Sequence, residues 1–145
     1  IPIIYYPHGL QSAAIRFKAS LQENSKIHVI CEDVIETCHN GIVAWGKKSH
    51  IIPIMIQGKD DHIKTKERWR ILKEFFKSKN IKYEEIISEE GSILTKLICL
   101  IYLLDYTTVY KAVMLEIDPT PVDPIDFIKN RLVDKEIDEL ERHKG

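Results

Sequence analysis

Four stretches of this chain carry side chains that could do acid–base or electrostatic chemistry. Glu23, in Leu21-Gln-Glu-Asn-Ser-Lys26, falls at the end of an apolar-periodic helix. The backbone dipole there disfavours a carboxylate by about 0.3–1 kcal/mol. It is either a solvated helix-end carboxylate, which the local pattern favours, or a base kept there for use. His39, in Glu36-Thr-Cys-His-Asn-Gly41, has the imidazole suited to proton transfer near neutrality. As one of six histidines, set in a loop, it reads more plainly as a structural or solvated one. Lys129 follows a segment with prolines at 119, 121 and 124, each fixing its own φ and extending the residue before it. A cation in the first turns of a helix gains nothing from the dipole, yet it suits a site facing an anion or developing oxyanion. A solvated lysine is the plainer local reading. Lys59-Asp60-Asp61-His62 could hold a cation, but a helix cap after a strand explains the same residues.

The elements that would position these groups alternate. Ile1–Tyr6 reads as a strand ending at Pro7-His8-Gly9, and Leu10, Ala13, Ala14, Phe17 and Leu21 recur at helical spacing. Ile27–Cys31 is a second strand. Val34–Trp45 is ambiguous, with a short helix containing His39-Asn40 expected. Ile51–Ile56 is apolar on both faces, as a central parallel strand would be, although Pro53 argues against a central place. Asp60 or Asp61 is expected to cap a helix carrying Ile63, Trp69, Leu72, Phe75 and Phe76. Tyr83–Ser88 is a fourth strand. Ser92 starts a long helix, apolar nearly all round and so expected to be buried. The proline segment leads to a last helix from about Ile125, with a charged helical tail over 133–145. This order predicts one α/β domain over 1–145: a three-layer sandwich whose mostly parallel sheet is flanked by helices.

At 145 residues, 44% hydrophobic and net charge −1, the chain offers no broad electrostatic case for nucleic acid or an anionic membrane. The longest apolar run, Leu97–Leu104, lies far below the roughly 20 residues a spanning helix needs. Three cysteines without paired spacing suit a reducing compartment, hence a cytoplasmic setting. Cys38 adjoins His39, but neighbours seldom share one metal and no second pair stands at ligand spacing. Glycine-rich phosphate loops and G-x-S-x-G are absent from the sequence. No metal or cofactor is expected. The chain opens at Ile1 directly into a strand, which reads as a fragment with a segment upstream.

Taken in order, several stretches resemble one family. Tyr6-Pro-His-Gly-Leu-Gln, Leu21-Gln-Glu-Asn-Ser-Lys26, Cys38-His-Asn-Gly-Ile-Val43 ahead of Trp45, and the closing Pro-Thr-Pro-Val-Asp-Pro-Ile-Asp-Phe-Ile-Lys-Asn-Arg-Leu132 together resemble the carboxy-terminal half of the bifunctional phosphoglucose/phosphomannose isomerases, of the sugar isomerase (SIS) superfamily. The resemblance covers about residues 1–132 and implies an SIS-like, flavodoxin-type sheet. It implies interconversion of glucose or mannose 6-phosphate with fructose 6-phosphate through an enediolate, without metal or cofactor. Glu23 matches the base that shuttles a proton between C1 and C2. His39 matches the histidine that opens the sugar ring, serving a neighbouring subunit in dimeric members. Lys129 matches the lysine assisting at the ring oxygen and hydroxyl. Thr120 and Asn40 match substrate-binding positions. Gly41 stands where many relatives have Glu. The implied partners are a sugar phosphate, an amino-terminal SIS half carrying the phosphate grip, and a second copy. A sugar-phosphate sensor or dimerisation module on the same fold is the alternative.

Overall fold

A computed structural model describes residues 1–142, with side chains as far as Leu132. Strands β1 (Pro2–Tyr6), β2 (Ile30–Asp33), β3 (Ile52–Gln57) and β4 (Glu84–Ile87) form one parallel sheet in the order β2-β1-β3-β4. Helices α1 (Gln11–Ser25), α2 (Val34–Thr37), α3 (Ile63–Ser78) and α4 (Ile93–Met114) each follow a strand, and α5 (Asp123–Arg142) closes the described chain. Strand order 2-1-3-4 is that of a flavodoxin-type doubly wound sheet, so the sandwich read from the alternation is the fold.

Strand alternation divides the core in two. Ile4, Tyr6 and Ile56 pack with Ala13, Ala14, Phe17 and Leu21 of α1 and Leu100 and Leu104 of α4. Ile3, Tyr5 and Met55 face the other way, onto Val34, Trp45 and Trp69, Leu72 and Phe76 of α3. β3 is central despite Pro53. The Ile52 N–H bonds to the carbonyl of Ile1, just before β1, so the next residue faces the β4 side. Pairing with β4 begins only at Ile54. The missing proline N–H therefore removes no ladder bond.

Three expectations need correction. His39 and Asn40 are not in a helix: α2 ends after one turn at Thr37, and both residues lie in the turn before a 3₁₀ segment, Gly41–Gly46. Neither Asp60 nor Asp61 caps α3. Asp61 accepts from the Gly58 N–H (2.9 Å) and the Trp69 indole (3.1 Å), Asp60 pairs with Lys96, and the His62 ring caps the helix by accepting from the Lys64 N–H. The third concerns α4. Its 22 residues are long and apolar enough to cross a bilayer by length and composition. Only Leu100, Leu104, Thr108 and Ala112, spaced four apart, are buried, against α1. Leu94, Ile98, Tyr102, Tyr110 and Val113 are more than half exposed. An all-apolar helix can bury one stripe in its own domain and leave the rest uncovered. The Arg16–Asp105 ion pair (2.9 Å) and the Ser20 hydroxyl bond to Asp105 (2.7 Å) fix which stripe turns inward.

Candidate active site

α1 and α4 run side by side in the same direction, both leading from the carboxyl edge of the sheet toward its amino edge. Arg16 and Ser20 meet Asp105, and a turn later Asn24 and Ser25 meet Thr108. The Asn24 amide donates to the Thr108 hydroxyl (2.7 Å), and the buried Ser25 hydroxyl donates to the Thr108 carbonyl (2.9 Å). These bonds explain two letters of the Glu-Asn-Ser-Lys run as anchors of the helix end. They leave Glu23, one residue before them, exposed.

Lys26 closes α1 in the left-handed region, φ 54 and ψ 33. Such a conformation costs a non-glycine residue about 1–2 kcal/mol. What offsets it is where the side chain goes. The Lys26 ammonium donates to the Glu23 carbonyl (2.6 Å), the Pro119 carbonyl (3.2 Å) and the Pro121 carbonyl (2.6 Å). It clamps the proline segment onto the end of α1. Proline makes the segment suitable for this, since each ring stiffens the backbone whose carbonyls are presented. Thr120, exposed between those two carbonyls, donates its N–H to Asp118 (2.9 Å). The backbone N–H of Thr120 first, then its hydroxyl and the charge on Lys26, hold the Asp118 carboxyl below the usual carboxylate range.

The clamp encloses a pocket of about 370 Å³ lined by Ala19, Gln22, Glu23 and Lys26 from α1 and by Pro121, Val122, Pro124 and Ile125. That volume is at the small end of ligand-sized pockets, about 300–1,000 Å³. No hydrogen bond or ion pair within 4.0 Å engages the Glu23 carboxylate among the described residues. Lys129 is exposed on α5, one turn beyond Ile125 and on the same helical face. The axial separation is about 6 Å. Glu23 and Thr120 thus share one end of the molecule, at the amino edge. The proline segment follows α4, which carries the chain from the carboxyl edge to the amino edge before the segment begins.

His39 lies elsewhere. It follows β2 and α2 at the carboxyl edge, exposed, with its N–H bonded to the Glu36 carbonyl (3.0 Å). Glu23 is twelve residues along α1 from Gln11, about 18 Å toward the opposite edge. Within one chain the two do not converge. The Asn40 amide donates to the Glu36 carboxylate (2.6 Å), closing the turn on itself. Gly41 sits against Glu32: a Cβ there would stand 2.6 Å from Glu32 Oε2 and 2.8 Å from Oε1. The space over the loop is already filled by a carboxylate from β2. No group of three or more His, Cys, Asp or Glu side chains is placed to hold a metal among the described residues.

Sequence reasoning missed Lys26 and Thr108. Lys26 sits in the quoted motif, but a basic residue at a helix end is ordinary, and its partners lie 93 and 95 residues away.

The parallel 2-1-3-4 sheet with helices on both faces is a doubly wound α/β domain, with its candidate pocket at the end of α1. Residues 1–132 match the family described as the bacterial phospho-glucose isomerase C-terminal SIS domain, and the chain belongs to that family. It is 34% identical over 139 residues to a bifunctional phosphoglucose/phosphomannose isomerase of Caldicellulosiruptor bescii, covering 92% of this chain and 41% of that protein. The enzyme of the same description from Aquifex aeolicus is 27% identical, over 91% of this chain and 42% of the relative. The chain thus spans about two fifths of the length of these relatives. Among solved structures, a glucose-6-phosphate isomerase like protein from Thermus thermophilus superposes with a TM-score of 0.61 at 16% identity, covering 82% of this chain and 38% of that one. A phosphosugar isomerase involved in capsule formation from Bacteroides fragilis, so described as a prediction, gives 0.59 at 8% identity, covering 80% and 70%. At these identities the likeness is one of fold.

Proposed function

We propose that this chain is the catalytic half of a hexose-6-phosphate isomerase, interconverting glucose or mannose 6-phosphate with fructose 6-phosphate in the cytoplasm. The observation that carries the reading is the Lys26 clamp, which holds the proline segment over a pocket while leaving the Glu23 carboxylate without a partner. A base that both removes and returns a proton must not be consumed by a structural ion pair. In this reading Glu23 moves the proton between C1 and C2 of the open-chain sugar. Lys129, one turn from the pocket, stabilises negative charge on the enediolate or ring oxygen, and Thr120 contacts the sugar. His39 opens the ring in the site of a second copy. Its place at the opposite edge from Glu23 supports a role in trans. Asn40, bonded to Glu36, sets the turn that presents His39.

The phosphate grip belongs, in this reading, to an amino-terminal half. The uncovered apolar stripe of α4 supports an assembly with such a half or with a second copy. That same stripe favours the rival reading, a sugar-phosphate-binding or dimerisation module without catalysis. Full-length protein bearing Glu23→Gln separates them. Loss of most fructose 6-phosphate turnover with ligand binding retained supports the isomerase, whereas unchanged turnover sinks it. The 145-residue chain alone is expected to be nearly inactive, because binding energy from the remote phosphate drives the chemical step.

A further inference from the structure

The segments leading into β3 and β4 enclose a cleft of about 920 Å³ at the amino edge of the sheet. It lies on the α2/α3 side, in the layer opposite the one that holds Glu23. Lys47, Lys48 and His50 line one wall, Lys79 and Lys82 the other, and Trp45 lies at the floor. No Asp or Glu is among the residues lining it. Lys59, Lys64, Lys73 and Lys96 each pair with a carboxylate, but none of the four cleft lysines does among the described residues. The chain as a whole is near neutral, at −1. The concentration of positive charge is therefore local, and the fold gains nothing from it: like charges facing one space repel. The carboxy-terminal end of α3 accounts for Lys79, since a helix end favours cations. It does not account for Lys47 and Lys48 across the cleft. The floor is rigid, with the Trp45 indole donating to the Tyr5 hydroxyl (3.0 Å) and its ring edge-on to Phe76 at 5.2 Å.

We propose that this cleft binds a small molecule bearing two or more phosphate groups, at a site separate from the Glu23 pocket. Cationic walls on two segments suit two phosphates better than one, because each wall can neutralise its own charge.

Inorganic tripolyphosphate titrated into the protein by calorimetry tests this, with the Trp45 indole NMR signal followed in parallel. Saturable one-to-one binding is expected, at least about tenfold tighter than that of inorganic monophosphate. The double variant Lys48→Gln/Lys79→Gln should weaken it by at least about tenfold. Lys64→Gln/Lys66→Gln, at the far end of α3, should leave it unchanged, and so should Glu23→Gln. The Trp45 signal should move with saturation. Three results would each overturn the proposal: no saturable binding, equal loss in the Lys64/Lys66 variant, or binding that leaves the Trp45 signal still. Tighter tripolyphosphate binding in Glu23→Gln, as removal of a repelling carboxylate would give, would move the site to the other pocket and overturn it as well.

Discussion

Replacing Lys26 by Met removes the ammonium but keeps the length and apolar reach of the side chain. Of its three bonds, the one to the Glu23 carbonyl stays within α1; those to Pro119 and Pro121 cross to the proline segment. A net intramolecular hydrogen bond contributes about 0.5–1.5 kcal/mol, and exposure of Lys26 argues for the lower half of that range. The two crossing bonds then hold the segment by about 1–2 kcal/mol. The loss is local, because the sheet and the α1–α4 contact do not depend on it. Opening of the segment should become about 5–30-fold more frequent. Hydrogen exchange reads this directly at the Thr120 N–H, bonded to Asp118, and the Ile125 N–H, bonded to the Val122 carbonyl at 2.7 Å. Both should exchange faster by that factor in Lys26→Met while core sheet amides keep their protection. Turnover by the full-length protein should fall in parallel, since the pocket wall facing Glu23 is what loosens. Exchange at Thr120 and Ile125 within about twofold of wild type would refute the clamp, because bonds of this strength cannot vanish without that signature.

Asp105 sets an acid limit on stability. Burial pushes its carboxyl up, but hydrogen bonds from Arg16 and Ser20 and the Arg16 charge outweigh burial and hold it below the usual range. A depressed folded value contributes stability that is present above the unfolded value, about 3.9, and is lost as pH falls through the folded one. Acid unfolding followed by circular dichroism should show about 1 kcal/mol of this loss in wild type, and Asp105→Asn should lack it; superimposable acid limbs would contradict the assignment. The cysteines should differ in reactivity. Burial pushes the Cys31 thiol up to about 11 and raises that of Cys38, while Cys99 is exposed on α4. At about pH 8 a thiol reagent should label Cys99 first and Cys31 only on unfolding. Early labelling of Cys31 would show that the α1–β2 packing opens.

The α/β alternation was readable because two apolar periods, helical and strand-like, switch along the chain. What escaped were features set by which partners the fold brings to a side chain or backbone group. Pro53 looked unsuited to a central strand because the side its nitrogen faces is a tertiary fact. Asp60 and Asp61 looked like caps, but Lys96 and the Gly58–Trp69 pair claim them and leave the task to His62. An apolar pattern all round α4 cannot distinguish a stripe buried in its own domain from one left uncovered. Glu23 and Lys129 were legible as candidates through the resemblance and through their awkward dipole positions. The meeting of Glu23 with the proline segment was not, because it depends on Lys26 bridging to carbonyls that carry no side-chain signature.

The contact between Glu32 and Gly41 means that these two positions behave as one variable. The resemblance puts an acid at 41; this chain leaves 41 bare and fills its space from the neighbouring strand. A side chain added at 41 must displace the Glu32 carboxylate, and shortening Glu32 opens the room that such a side chain needs. A side chain added at 41 is expected to be better tolerated where Glu32 is shortened than where it is kept. A comparison that scores the loop one column at a time would miss that position 41 and the Glu32 carboxylate occupy one space.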